Sequence, residues 1–326
     1  MKILITGSRG HLGEALVRVL GKTEHEIVGT DLLPSEFTDK VGSIVDRSFV
    51  DQLMPGVNVV LHAATLHKPH IVTHSYQDFI DTNISGTYNL LEAARKEGVD
   101  SFIFTSTTST FGDAMRPSVD EPAVWVTEDV VPVPKNIYGV TKVAAEDLCQ
   151  IFHRNHELPC IILRTSRFFP EDDDNINVRN AFEEANAKAN ELLYRRVDIE
   201  DVVSAHVLAI KKAREIGFAR YIISATTPFS KGDLPELRAN ASKVIARIYP
   251  EYEALYKSKG WSMFHGLGRV YINEKARTEL GWRPKYDFAH VLETLKSDKD
   301  FRSELAIEIG AKGYHGKKYK DGIFPV

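Results

Sequence analysis

Short apolar runs alternate along the chain with longer stretches in which apolar positions recur every third or fourth residue. The runs at Ile3–Ile5, Ile27–Val28, Val59–Leu61, Phe102–Phe104 and Ile161–Leu163 are bounded by turn residues and read as buried strands. Between them, Leu12–Leu20, Ile84–Ala94 and Tyr138–Phe152 carry helical periodicity. Alternation of this kind predicts an α/β fold, a doubly wound parallel sheet with helices on both faces. After Leu163 the alternation weakens, and Glu171-Asp172-Asp173-Asp174-Asn175 reads as an exposed acidic loop. It returns with a helix near Asp201–Ala213 and a strand near Tyr221–Ser224, followed by helices, turns and Gly281-Trp282-Arg283-Pro284. The pattern divides the chain into a sheet domain, residues 1–165 completed by 196–225, and a smaller substrate lobe from 166–195 and 226–326.

The first strand runs directly into Thr6-Gly7-Ser8-Arg9-Gly10-His11-Leu12-Gly13 and an amphipathic helix. Glycines at such a turn permit close backbone approach to a pyrophosphate, and the helix N-terminus offers N–H groups and a positive dipole end. Gly7, Arg9, Gly10, His11, Leu12 and Gly13 are therefore candidate dinucleotide contacts. The second strand ends at Asp31, eighteen residues beyond Gly13, where an acid accepts hydrogen bonds from the adenosine ribose. Asp31 repels a 2′-phosphate, which favours NAD over NADP, while Arg9 acts in the opposite sense. Asp46 has two readings of equal weight, an adenine contact or a helix N-cap.

Tyr138-Gly139-Val140-Thr141-Lys142 sets a tyrosine and a lysine four residues apart, on one helix face. A free tyrosine has a pKa of about 10, and a nearby cation lowers it by roughly one to three units. Lys142 and a positive nicotinamide ring would both act on Tyr138 in that direction, fitting it for proton exchange with a substrate hydroxyl. Upstream, the strand at Phe102 leads into Thr105-Ser106-Thr107-Thr108-Ser109-Thr110, a hydroxyl-rich segment at the sheet edge where ligands of such folds bind. Thr105 is placed beside the cofactor there, and Thr108 beside the substrate.

These motifs, with His62-Ala63-Ala64, Asn83-Ile84-Ser85-Gly86-Thr87, Phe111-Gly112 and Leu280-Gly281-Trp282-Arg283-Pro284, resemble the extended short-chain dehydrogenase/reductases, the NAD-dependent epimerase/dehydratase family, over almost the whole length. The resemblance implies a Rossmann-type fold, with Thr107 as catalytic hydroxyl, Tyr138 as acid/base and Lys142 as the group that binds the nicotinamide ribose and tunes Tyr138. It also implies that Ala63 and Ala64 line the cofactor cleft, that Asn83 supports the central helix, and that the protein is a homodimer through the helices near Ile84–Lys96 and Tyr138–His153. The implied activity is NAD-dependent hydride transfer at a hydroxyl-bearing carbon of a sugar. The alternatives are an epimerase that retains NAD and acts on a nucleotide sugar, and a catalytically silent NAD-binding regulator.

The departures from the family pattern narrow the substrate. Thr108 and Ser109 stand where the family's dehydratases carry an Asp-Glu pair. Arg164-Thr165-Ser166-Arg167 lacks the Asn of members that bind a sugar nucleotide, and the segment from Arg167 to Asp201 is short. This compactness is similar to that of members acting on free sugars or sugar acids. Arg167 and Arg196 are then candidates to hold a carboxylate or phosphate, the other reading being ion pairing with the acidic loop. His67 and Lys68 are further candidate substrate contacts. His62, His67, His70 and His74 fit no standard zinc spacing, so no metal is expected.

Composition changes little in this picture. A net charge of −4 gives no general attraction for nucleic acid or an anionic membrane. Cys149 and Cys160 both fall in core-like runs and suggest neither disulfide nor metal site. Met1–Ile5 is too short for the apolar part of a signal peptide, and no stretch approaches the roughly 20 apolar residues needed to cross a bilayer, so a cytoplasmic location is expected. The segment Tyr314–Val326, rich in Gly, Lys and Tyr, reads as a docked tail.

Overall fold

The computed structural model describes residues 1–173 and 175–313; the expected tail at Tyr314–Val326 lies outside them. Its strands are β1 (Lys2–Thr6), β2 (Glu26–Asp31), β3 (Lys40–Val41), β4 (Val59–His62), β5 (Ser101–Thr107), β6 (Val124–Val126), β7 (Cys160–Thr165), β8 (Phe218–Ile223) and β9 (Arg269–Tyr271). Seven of them form one sheet in the order β3-β2-β1-β4-β5-β7-β8, with every neighbouring pair parallel. The chain leaves β1 first towards β2 and later crosses to β4. That reversal opens a crevice beyond the carboxyl ends of the strands.

Each central strand is apolar at successive positions because both of its faces are covered. Ile3, Ile5, Leu61, Ile103 and Leu163 point to one face, where they meet α1 (His11–Leu20) and α8 (Ile199–Ile216). Leu4, Val60, Phe102, Phe104 and Ile162 point to the other, under α2 (Arg47–Leu53), α4 (Gly86–Glu97) and α5 (Ile137–His156). A third helix, α3 (Tyr76–Ile80), runs into α4 through a π turn at Asp81–Ser85, so the helix predicted from Ile84 has an irregular first turn. Cys149 and Cys160 are buried free thiols.

The acidic loop departs from expectation. Glu171 is buried and receives bonds from the Lys312 and Gly313 N–H groups at 3.0 and 3.1 Å, with His11 2.9 Å away. Asp173 takes Arg167 and Arg195 at 3.0 and 2.9 Å. These carboxylates turn inward because hydrogen-bond partners meet them there: His11 and the Lys312 and Gly313 N–H groups from distant segments for Glu171, and Arg167 and Arg195 for Asp173. Beyond the loop lie α6 (Ile176–Ala181) and α7 (Glu184–Glu191).

The lobe has its own apolar cluster, in which Leu193, Phe229, Val244, Ile245 and Phe288 pack together. Ala123 joins it, and β6 pairs with β9 in a separate two-stranded sheet, so part of the segment between β5 and α5 packs with the lobe. Trp282 is fully buried, and its indole N–H donates to the Asp201 carbonyl at 3.1 Å and Ser204 Oγ at 3.0 Å. The adjacent Lys285 and Tyr286 N–H groups donate to the Asp201 carboxylate at 2.9 and 3.0 Å, clamping the lobe onto the start of α8.

Burial pushes the Asp201 carboxyl up to about 7 against the pull of those two N–H groups. Between about pH 4 and 7 the folded state therefore holds a proton that the unfolded chain releases, and this group's contribution to stability falls as pH rises through that window. Relative to Asp201→Asn, the parent should lose up to about 1.4 kcal/mol per pH unit across it, measured by urea unfolding at several pH values. Parallel pH dependences for the two proteins would refute the assignment.

Candidate active site

The crevice is a cleft of about 1250 Å³, larger than the roughly 300–1,000 Å³ that holds a single drug-sized ligand. At one end the glycine turn is packed as closely as backbone allows. A Cβ on Gly7 (φ +74°) would lie 2.8 Å from Ala64 N, and one on Gly13 would lie 1.9 Å from Gly7 O. Gly7 N and Ser8 N donate to Thr30 O at 2.8 and 3.2 Å, tying the turn to β2. The N-cap Gly10 has no side chain to occupy the first-turn N–H groups of α1. His11, Leu12, Ala63 and Ala64 line the same end. Asp31 also lines it, its carboxylate accepting from Arg9 N and Leu33 N, each at 3.1 Å. A glycine cradle that any side chain would fill, with a carboxylate at the end of β2, fits a bound dinucleotide. Asp46 caps α2, accepting from Ser48 N at 2.9 Å and Phe49 N at 3.3 Å, and does not line the cleft.

In mid-cleft, Thr107 at the end of β5 meets Tyr138 in the first turn of α5. Asn136 caps that helix, accepting from Gly139 N at 3.1 Å. Burial pushes the Tyr138 hydroxyl up to about 12, and the downward pull comes from its hydrogen bond with Thr107. Lys142 lies behind the cleft wall, its ammonium donating to Thr105 O at 2.7 Å and sitting 3.9 Å over the Phe104 ring. Burial depresses Lys142 itself to about 7, while Glu146 acts to keep it charged. Thr105 Oγ1 is 2.8 Å from His206 Nε2. Asn83, buried in the π turn, accepts from Leu66 N at 2.8 Å and donates to Leu66 O at 2.9 Å and Thr141 Oγ1 at 3.0 Å. It holds the loop after β4 to the catalytic helix and does not line the cleft.

Of the substrate candidates, His67, Lys68, Thr108 and Arg167 line the cleft and Arg196 does not. His67 stacks on Phe169 with ring centroids 5.4 Å apart and lies 6.4 Å from the Tyr138 ring. The Arg167 guanidinium bonds the Asp173 carboxylate at 3.0 Å and the Asp172 carbonyl at 2.6 Å, which is the ion-pairing reading. Arg196 is buried against Glu191 at 3.1 Å and the Phe169 carbonyl at 2.6 Å. Burial acts to raise the Glu191 carboxyl, yet Arg195, Arg196 and Arg167 hold it down to about 2. Among the described residues no cluster of three His, Cys, Asp or Glu has metal-binding geometry, and no helix is long and apolar enough to cross a membrane.

The family model described as the NAD dependent epimerase/dehydratase family matches residues 3–223, the stretch that contains the glycine turn, Thr107, Tyr138 and the main sheet. The chain belongs to this family. One epimerase/dehydratase relative, an uncharacterized UDP-glucose epimerase, YtcB, of Bacillus subtilis, is 29% identical over 50% of this chain and 55% of its own length. The NAD-dependent glucose-6-phosphate dehydrogenase of Haloferax volcanii is 28% identical over 50% of this chain and 66% of its own length. The chain thus spans between half and two thirds of the length of these curated relatives. In fold, it resembles a short-chain dehydrogenase/reductase superfamily protein from Agrobacterium tumefaciens solved with bound NAD, at a TM-score of 0.64 and 23% identity over 91% of this chain and 98% of that one.

Within the epimerase/dehydratase frame, several residues of the site escaped sequence reasoning. Glu146 accepts from Ser106 Oγ at 2.6 Å, Arg164 Nη2 at 2.7 Å and Arg220 Nε at 3.1 Å. Its i+4 spacing from Lys142 was the available signal. Phe169, Arg195, Arg116, Lys135 and Arg269 also line the cleft, and no local motif marks them.

Proposed function

We propose that the protein uses NAD to transfer a hydride at a hydroxyl-bearing carbon of a sugar or sugar-acid-like substrate. The observation that carries this reading is the meeting of Thr107 and Tyr138 on the wall of the same cleft that holds the glycine turn. NAD, when bound, supplies the hydride acceptor. Tyr138 takes the proton from the substrate hydroxyl as the carbon is oxidised, and returns it in the reverse direction. Thr107 favours the phenolate form by hydrogen bonding and orients the hydroxyl. Lys142, one turn further along α5, is the proposed contact for the nicotinamide ribose.

Thr108 and Ser109 line the cleft and supply no carboxylate, which argues against a water-eliminating reaction. Thr107 and Tyr138 together in the cleft also argue against a silent NAD-binding regulator, which has no need of them. The printed name of the Bacillus subtilis relative supports the second reading, an epimerase that keeps its NAD. The two are separated by denaturing pure protein: stoichiometric NAD released favours the epimerase, while NADH formed from added NAD and sugar favours the dehydrogenase.

Tyr138→Phe should lower turnover by about two to four orders of magnitude with little change in NAD affinity. Near-normal turnover in that variant would remove Tyr138 from the mechanism.

Asp31 supports a preference for NAD over NADP, because a 2′-phosphate would meet its carboxylate. Asp31→Ala should erode that preference in paired fluorescence titrations; equal affinity of the parent for both cofactors would contradict it.

Tyr88 on α4 and Val140 and Ile151 on α5 are exposed apolar side chains on the two helices proposed to form a homodimer interface. Light scattering should give twice the 36.6 kDa chain mass, and a purely monomeric profile would count against the interface.

A further inference from the structure

Three segments far apart in the sequence bound the dinucleotide end of the cleft. The glycine turn and the start of α1 supply Arg9 and His11, the loop after β7 supplies Glu171, and the chain beyond the helix Glu304–Ile309 supplies Lys312 and Gly313; all five residues line the cleft. β1 and β7 stand three places apart in the sheet, so at about 4.8 Å per strand their ends are separated by roughly 14 Å. His11 Nε2 and Glu171 Oε1 close that gap to 2.9 Å, with both side chains buried. Residues 311–313 lie against this closure. The Lys312 and Gly313 N–H groups donate to the same Glu171 oxygen at 3.0 and 3.1 Å, while the Lys312 ammonium donates to the Arg9 carbonyl at 2.9 Å and pairs with the Glu14 carboxylate.

The way these three residues are held differs from what precedes them. The helix Glu304–Ile309 is anchored by burial: Leu305 belongs to the core of the main sheet, Ala306 and Ile309 pack against that core, and Glu308 pairs with Arg18 of α1 at 2.6 Å. Its N-cap Ser303 donates to Asp198 at 2.6 Å, which ties it to the start of α8. Burial stops at Gly310 (φ +61°). Ala311, Lys312 and Gly313 are exposed, and Gly313 is again left-handed at φ +67°, so the segment is flanked by glycines and fixed by polar bonds alone. Segments with little buried apolar surface and solvent-exposed hydrogen bonds open locally at low cost, leaving the core undisturbed.

We infer that residues 311–313 are a strap across the dinucleotide end of the cleft, latched by Lys312 onto the glycine turn and Glu171, which closes over bound NAD and opens about Gly310 to let the cofactor in or out. The assignment rests on the reading of that end as the NAD site and adds what governs exchange there. The Lys312 ammonium is committed to the Arg9 carbonyl and the Glu14 carboxylate, so it holds the strap shut and is not a ligand of the cofactor. A latch made only to protein sets how often the path is open, and weakening it speeds entry and exit by the same factor while Kd stays put. Loss of a direct contact with NAD acts otherwise: exit quickens, entry does not, and Kd weakens.

The test is stopped-flow fluorescence on the full chain with NADH as the probe, entry being read on mixing and exit on chasing the NADH-loaded protein with excess NAD. Lys312→Met removes the ammonium of an exposed residue and keeps its stem. It should quicken both rates about ten-fold or more, the scale of a lost charged hydrogen bond, with Kd and the urea midpoint essentially unchanged. Glu171→Gln, which keeps the shape of the acceptor and removes its charge, should act in the same direction. Unchanged entry and exit in Lys312→Met would overturn the strap, as would faster exit alone with a weaker Kd. The two readings fail in different ways: if NADH does not bind the parent, the dinucleotide site falls and the strap with it, whereas binding whose rates are indifferent to Lys312 removes the strap and leaves the site in place.

Discussion

The position of the catalytic helix depends on one buried carboxylate. Glu146 is 1% exposed, and it accepts from Ser106 on β5, Arg164 on β7 and Arg220 on β8 while sitting on α5. Tyr138, Lys142 and Glu146 follow one another at four-residue spacing along a single helix face, so fixing the last of them fixes the register of the other two over the sheet. Charges buried in this way are tolerated only when fully partnered, and removing one partner is strongly destabilising. The same carboxylate opposes the neutralisation of Lys142, so structural support and site electrostatics share one group.

What could be read from the sequence was local. The glycine turn, Asp31 and the Tyr138/Lys142 pair are each defined by neighbours a few residues away, and the strands and helices follow from periodicities of similarly short range. What escaped was set by distant segments. The acidic loop read as solvated because a charge run is normally so, yet His11 and Lys312 converge on Glu171 from opposite ends of the described chain. The Glu191 and Phe169 carbonyl partners of Arg196 were likewise outside the reach of local pattern. Burial raises the Tyr138 hydroxyl, a contribution the four-residue spacing could not reveal, because spacing carries no information about desolvation. The N-cap bonds of Asp46 to the N–H groups of Ser48 and Phe49 match a reading the sequence already offered.

Net charge was a similarly blunt instrument. A mildly acidic chain concentrates basic side chains in one concave surface and keeps most of its carboxylates elsewhere. Low-dielectric walls focus the field in such a cleft and draw anions to it, while the outer surface remains repulsive to polyanions.

The bond between Lys312 and the glycine turn has a consequence for the order of synthesis. Lys312 Nζ donates to the Arg9 carbonyl at 2.9 Å, and the Lys312 N–H closes on Glu171 beside His11. All seven strands of the main sheet have been made once Ile223 leaves the ribosome, but this wall of the dinucleotide end arrives only with residue 312. At about 5–20 residues per second the delay is on the order of 5–20 s. For that interval a nascent chain carries every strand of the main sheet but not the Lys312 side chain that completes the cleft beside the glycine turn.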